Sequence, residues 1–161
     1  MLSKKKQTVN PGKFKSKIEG INYGLLDSLV GYSIRRGQIS FYDDFFKAVN
    51  EPSITPLRFS TLVIIGANPG LRQVQISDLF GVARPGATSL IDYWEKKGCV
   101  ERRVGDKDRR SYGIYLTKKG SEDLENLQNI VKAHEDHMTR NLSNSERETL
   151  MDLLKKIYSE A

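Results

Sequence analysis

Apolar residues recur at helical spacing along most of this chain. From Tyr23 to Val49 they fall at Leu25, Leu26, Leu29, Val30, Ile34, Ile39, Tyr42, Phe45, Phe46 and Val49, a long helical pattern with an interruption near Gly37. Asn50 to Ser53 end it. Thr55-Pro56 then reads as an N-cap and a first-turn proline, opening a buried helix on Leu57, Phe59, Leu62, Val63 and Ile65 that Asn68-Pro69-Gly70 terminates. Val74, Ile76, Leu79 and Phe80 mark a short helix stopped by Gly81, where a chain reversal needs a backbone conformation that a Cβ disfavours. A few residues later Pro85 opens another helix, with Ala87, Leu90, Ile91 and Trp94 as its apolar face and Gly98 at its end.

The period then changes. Cys99 to Arg102 and Ser111 to Leu116 read as two strands, the second marked by Tyr112, Ile114 and Tyr115, with the polar, arginine-dense RVGDKDRR between them. Thr117 next caps a helix on Leu124, Leu127, Val131, His134, Met138 and Leu142, and Ser143 with Glu146 forms a capping box before a last helix on Leu150, Leu153, Leu154 and Ile157. Two short helices joined by a tight turn, followed by a two-stranded hairpin, predict a winged helix-turn-helix. The fold class is therefore mainly α with a small β-wing. One domain is expected over residues 21–161, with the winged helix at about 55–117 and flanking helical blocks at about 21–50 and 118–160.

The polar face of the second short helix carries the candidate chemistry. Arg84, Gly86, Thr88 and Ser89 occupy its N-terminal half, the part of a recognition helix that reaches base edges, and an arginine there can pair bidentately with guanine. Gln73 and Gln75 open the preceding helix and suit phosphate contacts. Lys107, Arg109 and Arg110 lie in the hairpin loop, from which an arginine can enter a narrow minor groove.

A family resemblance rests on these residues. Glu95-Lys96-Lys97-Gly98, Glu101-Arg102, Asp108-Arg109-Arg110, Ile114, Leu116-Thr117 and Gly120 together resemble the MarR family of bacterial transcriptional regulators, over nearly the whole chain from about Leu25. Two departures stand out: Ala83 where a Ser or Thr cap is common, and Gly86 in the first turn of the recognition helix. The resemblance implies a homodimer on a pseudo-palindromic double-stranded operator, with Asp108 and Arg110 holding the wing together and contacting DNA. It also implies effectors lodged where the dimerisation helices meet the winged helix, among them aromatic carboxylates and their coenzyme A thioesters.

Charge and composition narrow this picture. The net charge of +6 is unevenly spread: residues 1–20 hold six lysines against Glu19, which with Pro11 predicts a flexible basic arm, either solvated or adding phosphate contacts. A hydrophobic content of 38% is lean for a self-contained globule and agrees with dimerisation. Arg35 and Arg36, in a stretch that also bears Tyr32 and Tyr42, form a paired cation beside aromatic rings. That pairing suits an anionic aromatic effector through charge-assisted bonds and stacking, against the plainer reading of a solvated helix surface.

Other chemistries find less support. His134 and His137 stand three apart on a helix without the HExxH spacing, so His134 is expected to be structural and to face a dimer core; no metal and no cofactor are expected. The single Cys99 excludes an intramolecular disulfide and reads as a buried small hydrophobe. No apolar run approaches the ~20 residues that span a bilayer, so a cytoplasmic protein without membrane contact is expected. Neither a phosphate loop, nor a nucleophile elbow, nor a carboxylate pair with an assignable role points to an enzyme. The rival to operator binding is a winged helix used as a protein-interaction scaffold, which would more often expose aromatic or apolar anchors on the recognition helix.

Overall fold

The computed structural model describes residues 14–104 and 112–159. Its helices are α1 (Val30–Val49), α2 (Pro56–Ala67), α3 (Gln73–Phe80), α4 (Arg84–Lys96), α5 (Lys118–Met138) and α6 (Asn144–Tyr158). A 3-10 turn at Gly24–Ser28 precedes α1, and strands β1 (Val100–Val104) and β2 (Tyr112–Leu116) separate α4 from α5. The chain forms two compact units that divide between Asp43 and Asp44.

In the first unit, α1 runs unbroken through Gly37, contrary to the interruption expected there. Glycine in a helix interior costs about 1 kcal/mol relative to alanine, which weakens a helix of this length without ending it. The 3-10 turn buries none of its residues, and Leu25 is 73% exposed.

The second unit is built around the core expected of a winged helix. Ile54, Leu62, Ile65, Ile76, Ala87, Ile91, Trp94, Val100, Ile114, Leu124 and Leu127 form one buried cluster, so α2 braces α3 and α4 from behind while α5 closes the base. Thr55 accepts the Arg58 N–H at 3.2 Å and caps α2. The Trp94 indole donates to the Arg58 carbonyl at 2.8 Å, satisfying the one polar atom of the largest buried side chain and pinning α4 to α2.

The hairpin is antiparallel with Val100 opposite Leu116 and Val104 opposite Tyr112. β1 thus runs two residues beyond the expected Arg102, because Arg103 and Val104 pair although their side chains are exposed. Leu71 adds a bridge to Ile114, extending the ladder toward α3. At the other end Thr117 accepts the Gly120 N–H at 3.0 Å and donates to the Gly98 carbonyl at 2.7 Å. Gly120 itself approaches Cys99 so closely that a Cβ there would overlap the Cys99 carbonyl oxygen.

The terminal helices differ from this core. α5 ends at Met138, so Leu142 lies beyond it, and the Ser143–Glu146 box opens α6 as expected. α6 buries no residue, and Ile157 and Tyr158 are 53% and 65% exposed. His134, expected to face a dimer core, is already buried within one chain, edge-on to Phe45 with ring centroids 5.9 Å apart. Its burial needs no second subunit.

Candidate nucleic-acid interface

The turn between α3 and α4 places one polar helix face outward. Gly81 adopts the left-handed conformation, φ 59° and ψ 31°, and its N–H and that of Val82 close the end of α3 on Asp78 and Ser77. Ala83 caps α4 without a side-chain bond, leaving Pro85, with no N–H to satisfy, as the local helix starter. Ala87, Leu90, Ile91 and Trp94 are buried, which fixes the rotation of α4 and leaves Arg84, Gly86 and Ser89 exposed.

The polar residues of this face are not equivalent. Gln73 donates through Nε2 to the Thr88 hydroxyl at 2.7 Å, and Thr88 donates in turn to the Arg84 carbonyl at 3.0 Å. The pair therefore cross-ties α3 to α4. The Gln75 amide oxygen accepts the Arg72 N–H at 2.9 Å, an N-terminal cap of α3. Arg84 and Ser89 are left with side chains directed to no partner among the described bonds. Together with Pro85, Asp92, Tyr93 and Lys96, and with Arg58 of α2, they line an open groove of about 600 Å³ along α4. The sequence pattern did not single out Arg58, which sits in the buried helix behind.

The wing is anchored by a residue read from sequence only as part of a motif. Arg102 of β1 donates to Asp92 at 2.5 Å and also to Glu95, so its fork clamps the hairpin to α4. Beside it Arg103 stacks on Tyr115, 4.6 Å from the ring centre, and pairs with Glu101. Lys107, Asp108, Arg109 and Arg110 lie outside the described residues.

The first unit holds the arginines expected to meet an effector, in unlike surroundings. Arg36 has its guanidinium 5.2 Å from the Tyr23 ring, 5.4 Å from Tyr32 and 5.7 Å from Phe14, and donates to the Tyr32 hydroxyl at 3.2 Å. That bond, with a second from Tyr23, raises its pKa further above the ordinary arginine value. Arg35 instead bonds Gln38 at 3.1 Å, and Gln38 reaches the Tyr42 hydroxyl at 3.4 Å.

Cys99 is buried, and its thiol donates to Asp123 at 3.1 Å. Burial pushes the thiol pKa up, followed by the effect of that carboxylate, so the nucleophilic thiolate is disfavoured. Among the described residues no cluster of three His, Cys, Asp or Glu side chains could hold a metal ion, and no helix is long and apolar enough to cross a membrane.

Comparison with known proteins agrees with this architecture. The MarR family profile matches residues 53–111, from the cap of α2 into the hairpin loop. The transcriptional repressor CouR bound to a 23-mer DNA duplex superposes with a TM-score of 0.80 at 34% identity, over 85% of this chain and 97% of that one. The chain belongs to the MarR family. CouR bound to p-coumaroyl-CoA gives a TM-score of 0.78 at 32% identity, covering 88% of this chain and 99% of that one. A Thauera aromatica protein whose name assigns it to transcriptional regulation of the hcr operon is 29% identical over 144 residues, 89% of this chain and 87% of its own length. The winged helix-turn-helix, and membership among transcriptional regulators rather than enzymes, follow from these likenesses.

Proposed function

We propose that this chain is a homodimeric repressor that binds a pseudo-palindromic operator through α4 and is released by an anionic, aromatic acid or its coenzyme A thioester. The observation that carries the DNA reading is the outer face of α4: Arg84 and Ser89 are exposed on a helix whose other face is locked into the core. In this reading Arg84 and Ser89 read bases, Gly86 lets the backbone approach, Gln73 and Thr88 set the orientation of α4, and Gln75 caps α3 beside the phosphates. Of the wing residues, Asp108 and Arg110 hold the wing and contact DNA, as the family resemblance implies, and Lys107 and Arg109 supply looser phosphate contacts. The lining of the α4 groove, three cations and no row of apolar anchors, favours DNA over a protein partner.

Two further supports concern assembly and release. The exposed apolar residues of α6, among them Leu150, Leu153 and Ile157, suit a second copy of this chain, since a lone protomer would leave them in water. For the effector, Arg36 and Tyr32 offer a charged and aromatic site in the first unit, with Arg35 and Tyr42 joined through Gln38 beside it. CouR, at 32% identity, binds p-coumaroyl-CoA. An effector releases the operator only through tighter binding to the DNA-incompetent state, a tenfold preference being about 1.4 kcal/mol per site.

Genomic DNA captured by the purified protein identifies the operator, and footprinting on it is expected to protect two half-sites about one helical turn, roughly 34 Å, apart. Protection of one isolated half-site by a monomer at full affinity refutes the assembly. Aromatic acids and their thioesters are then titrated against the complex, with Arg35→Ala and Arg36→Ala alongside. Release that both variants retain unchanged removes these arginines from the mechanism.

A further inference from the structure

Arg58 is mounted as a ligand would be, yet among the described residues no acid pairs with it. Its guanidinium lies 3.9 Å from the centre of the Tyr93 ring, and Nη1 donates to the Ser53 carbonyl at 2.5 Å. The platform is itself fixed: the Tyr93 hydroxyl bonds the Ser53 hydroxyl at 2.7 Å, and the Trp94 ring meets Tyr93 edge-on at 5.0 Å. The guanidinium is thus ordered before anything binds, which lowers the entropic cost of a contact. Arg58 also stands in the first turn of α2, where helix polarity favours an anion over a cation, and no acid shares that turn.

The surroundings leave this charge unneutralised. Arg58, Arg84 and Lys96 line one groove, and none of them has a carboxylate partner among the described ion pairs. The single acid of that groove, Asp92, is engaged by Arg102 of the wing. A helix seated in the major groove has a phosphate strand along its flank, and Arg58 lies on the α2 side of α4.

We infer that Arg58 is a DNA-backbone ligand, a ring-mounted guanidinium that binds a phosphate on the flank of the recognition helix and so sets how α4 seats in the groove. The inference rests on the operator-binding reading above. Four guanidinium N–H donors remain beyond the bond to Ser53, enough for a two-pronged phosphate contact. Such a contact carries affinity and register but no sequence information.

The test is the salt dependence of DNA binding by the full chain. Arg58→Ala and Arg58→Gln, the second keeping a donor for the Ser53 carbonyl, are expected to weaken operator and non-operator DNA alike, roughly tenfold on the operator. Both should also reduce the slope of log affinity against log salt by about 0.9 for each arginine removed, whereas Arg58→Lys retains the slope because it retains the charge. Weaker binding with an unchanged slope would mean that Arg58 acts through folding alone, and unchanged affinity and slope would mean that it touches no phosphate; either overturns the inference. If the unmodified protein binds no DNA, the operator reading fails first. Coenzyme A alone supplies the other source of phosphate. Loss of coenzyme A competition in Arg58→Ala, with DNA affinity intact, would assign the phosphate to an effector and overturn the proposal.

Discussion

The winged helix and the terminal helices solve the problem of burial in different ways. Between Ile54 and Leu127 the chain covers most of its own apolar residues, with Leu62, Ile65, Ile76, Ala87, Ile91 and Cys99 wholly inaccessible. The 3-10 turn and α6, toward the two ends of the described chain, also carry apolar residues, among them Leu25, Leu153 and Ile157, yet bury nothing. One region covers its apolar residues within a single copy of the chain, and the other leaves its own exposed. The hydrophobic period alone cannot distinguish them, because an amphipathic stripe looks the same whether its partner is the same chain or another.

Trp94→Ala is the most damaging way to probe the self-sufficient region. It is expected to cost about 3–5 kcal/mol, combining a large cavity with an unbonded Arg58 carbonyl, and denaturant unfolding would measure it. A loss under about 1 kcal/mol would show that the core of the winged helix is less complete than its burial indicates. The terminal region is tested by pairing Leu153→Asp with Ile157→Asp. Each protomer should stay folded, while sedimentation reports a single copy and operator affinity falls on the order of a hundredfold as two linked half-sites become independent. The unfolding temperature should also lose its dependence on protein concentration. Persistence of a dimer in this variant would assign the apolar face of α6 to another partner.

Arg84→Ala sharpens the comparison from the DNA side. Its expected cost is roughly 1–3 kcal/mol per base contact, with relaxed sequence preference and unchanged stability, read from binding to single-base operator variants. The smallest effect belongs to Glu51, which joins the segment before α2 to Lys97 at the end of α4. The bond from Lys97, then that from Ser53, holds the Glu51 carboxyl below its ordinary 4.5. A depressed carboxylate stabilises the fold above its unfolded pKa, and that contribution disappears as pH falls from about 4.5 through the lower folded value. Both side chains are partly exposed, 42% for Glu51 and 33% for Lys97, so the pair is worth at most about 1 kcal/mol. Glu51→Gln should lower stability at neutral pH by no more than this and flatten the acid limb, and a larger loss at pH 4 than at neutral pH would reverse the sign.

Sequence reading reached the winged helix because its cues are local. Thr55-Pro56, Gly81, Pro85, Gly98, Thr117 and the Ser143 box each punctuate one element, and each lies at the boundary expected of it. Gly37 misled because glycine is punctuation only where the backbone must turn, and inside a helix of twenty residues it is merely a weak member. The candidate interface was harder to read because residue type does not reveal prior commitments. Gln75 is engaged in a cap and Thr88 in a cross-tie, while Arg58, hidden within an apolar pattern, faces the groove of α4. The stack of Arg58 on Tyr93 joins positions 35 apart, beyond any local spacing rule.

The close approach of Gly120 to Cys99 has a mechanical side. With no side chain between them, the first turn of α5 and the start of the hairpin meet backbone to backbone, and two bonds through Thr117 hold the joint. From Gly120 to the end of α5 is an arm of roughly 27 Å at 1.5 Å per residue. A tilt of that arm must pivot at the joint or drag the root of the hairpin with it. The far end of α5 thereby has leverage over the root of the hairpin.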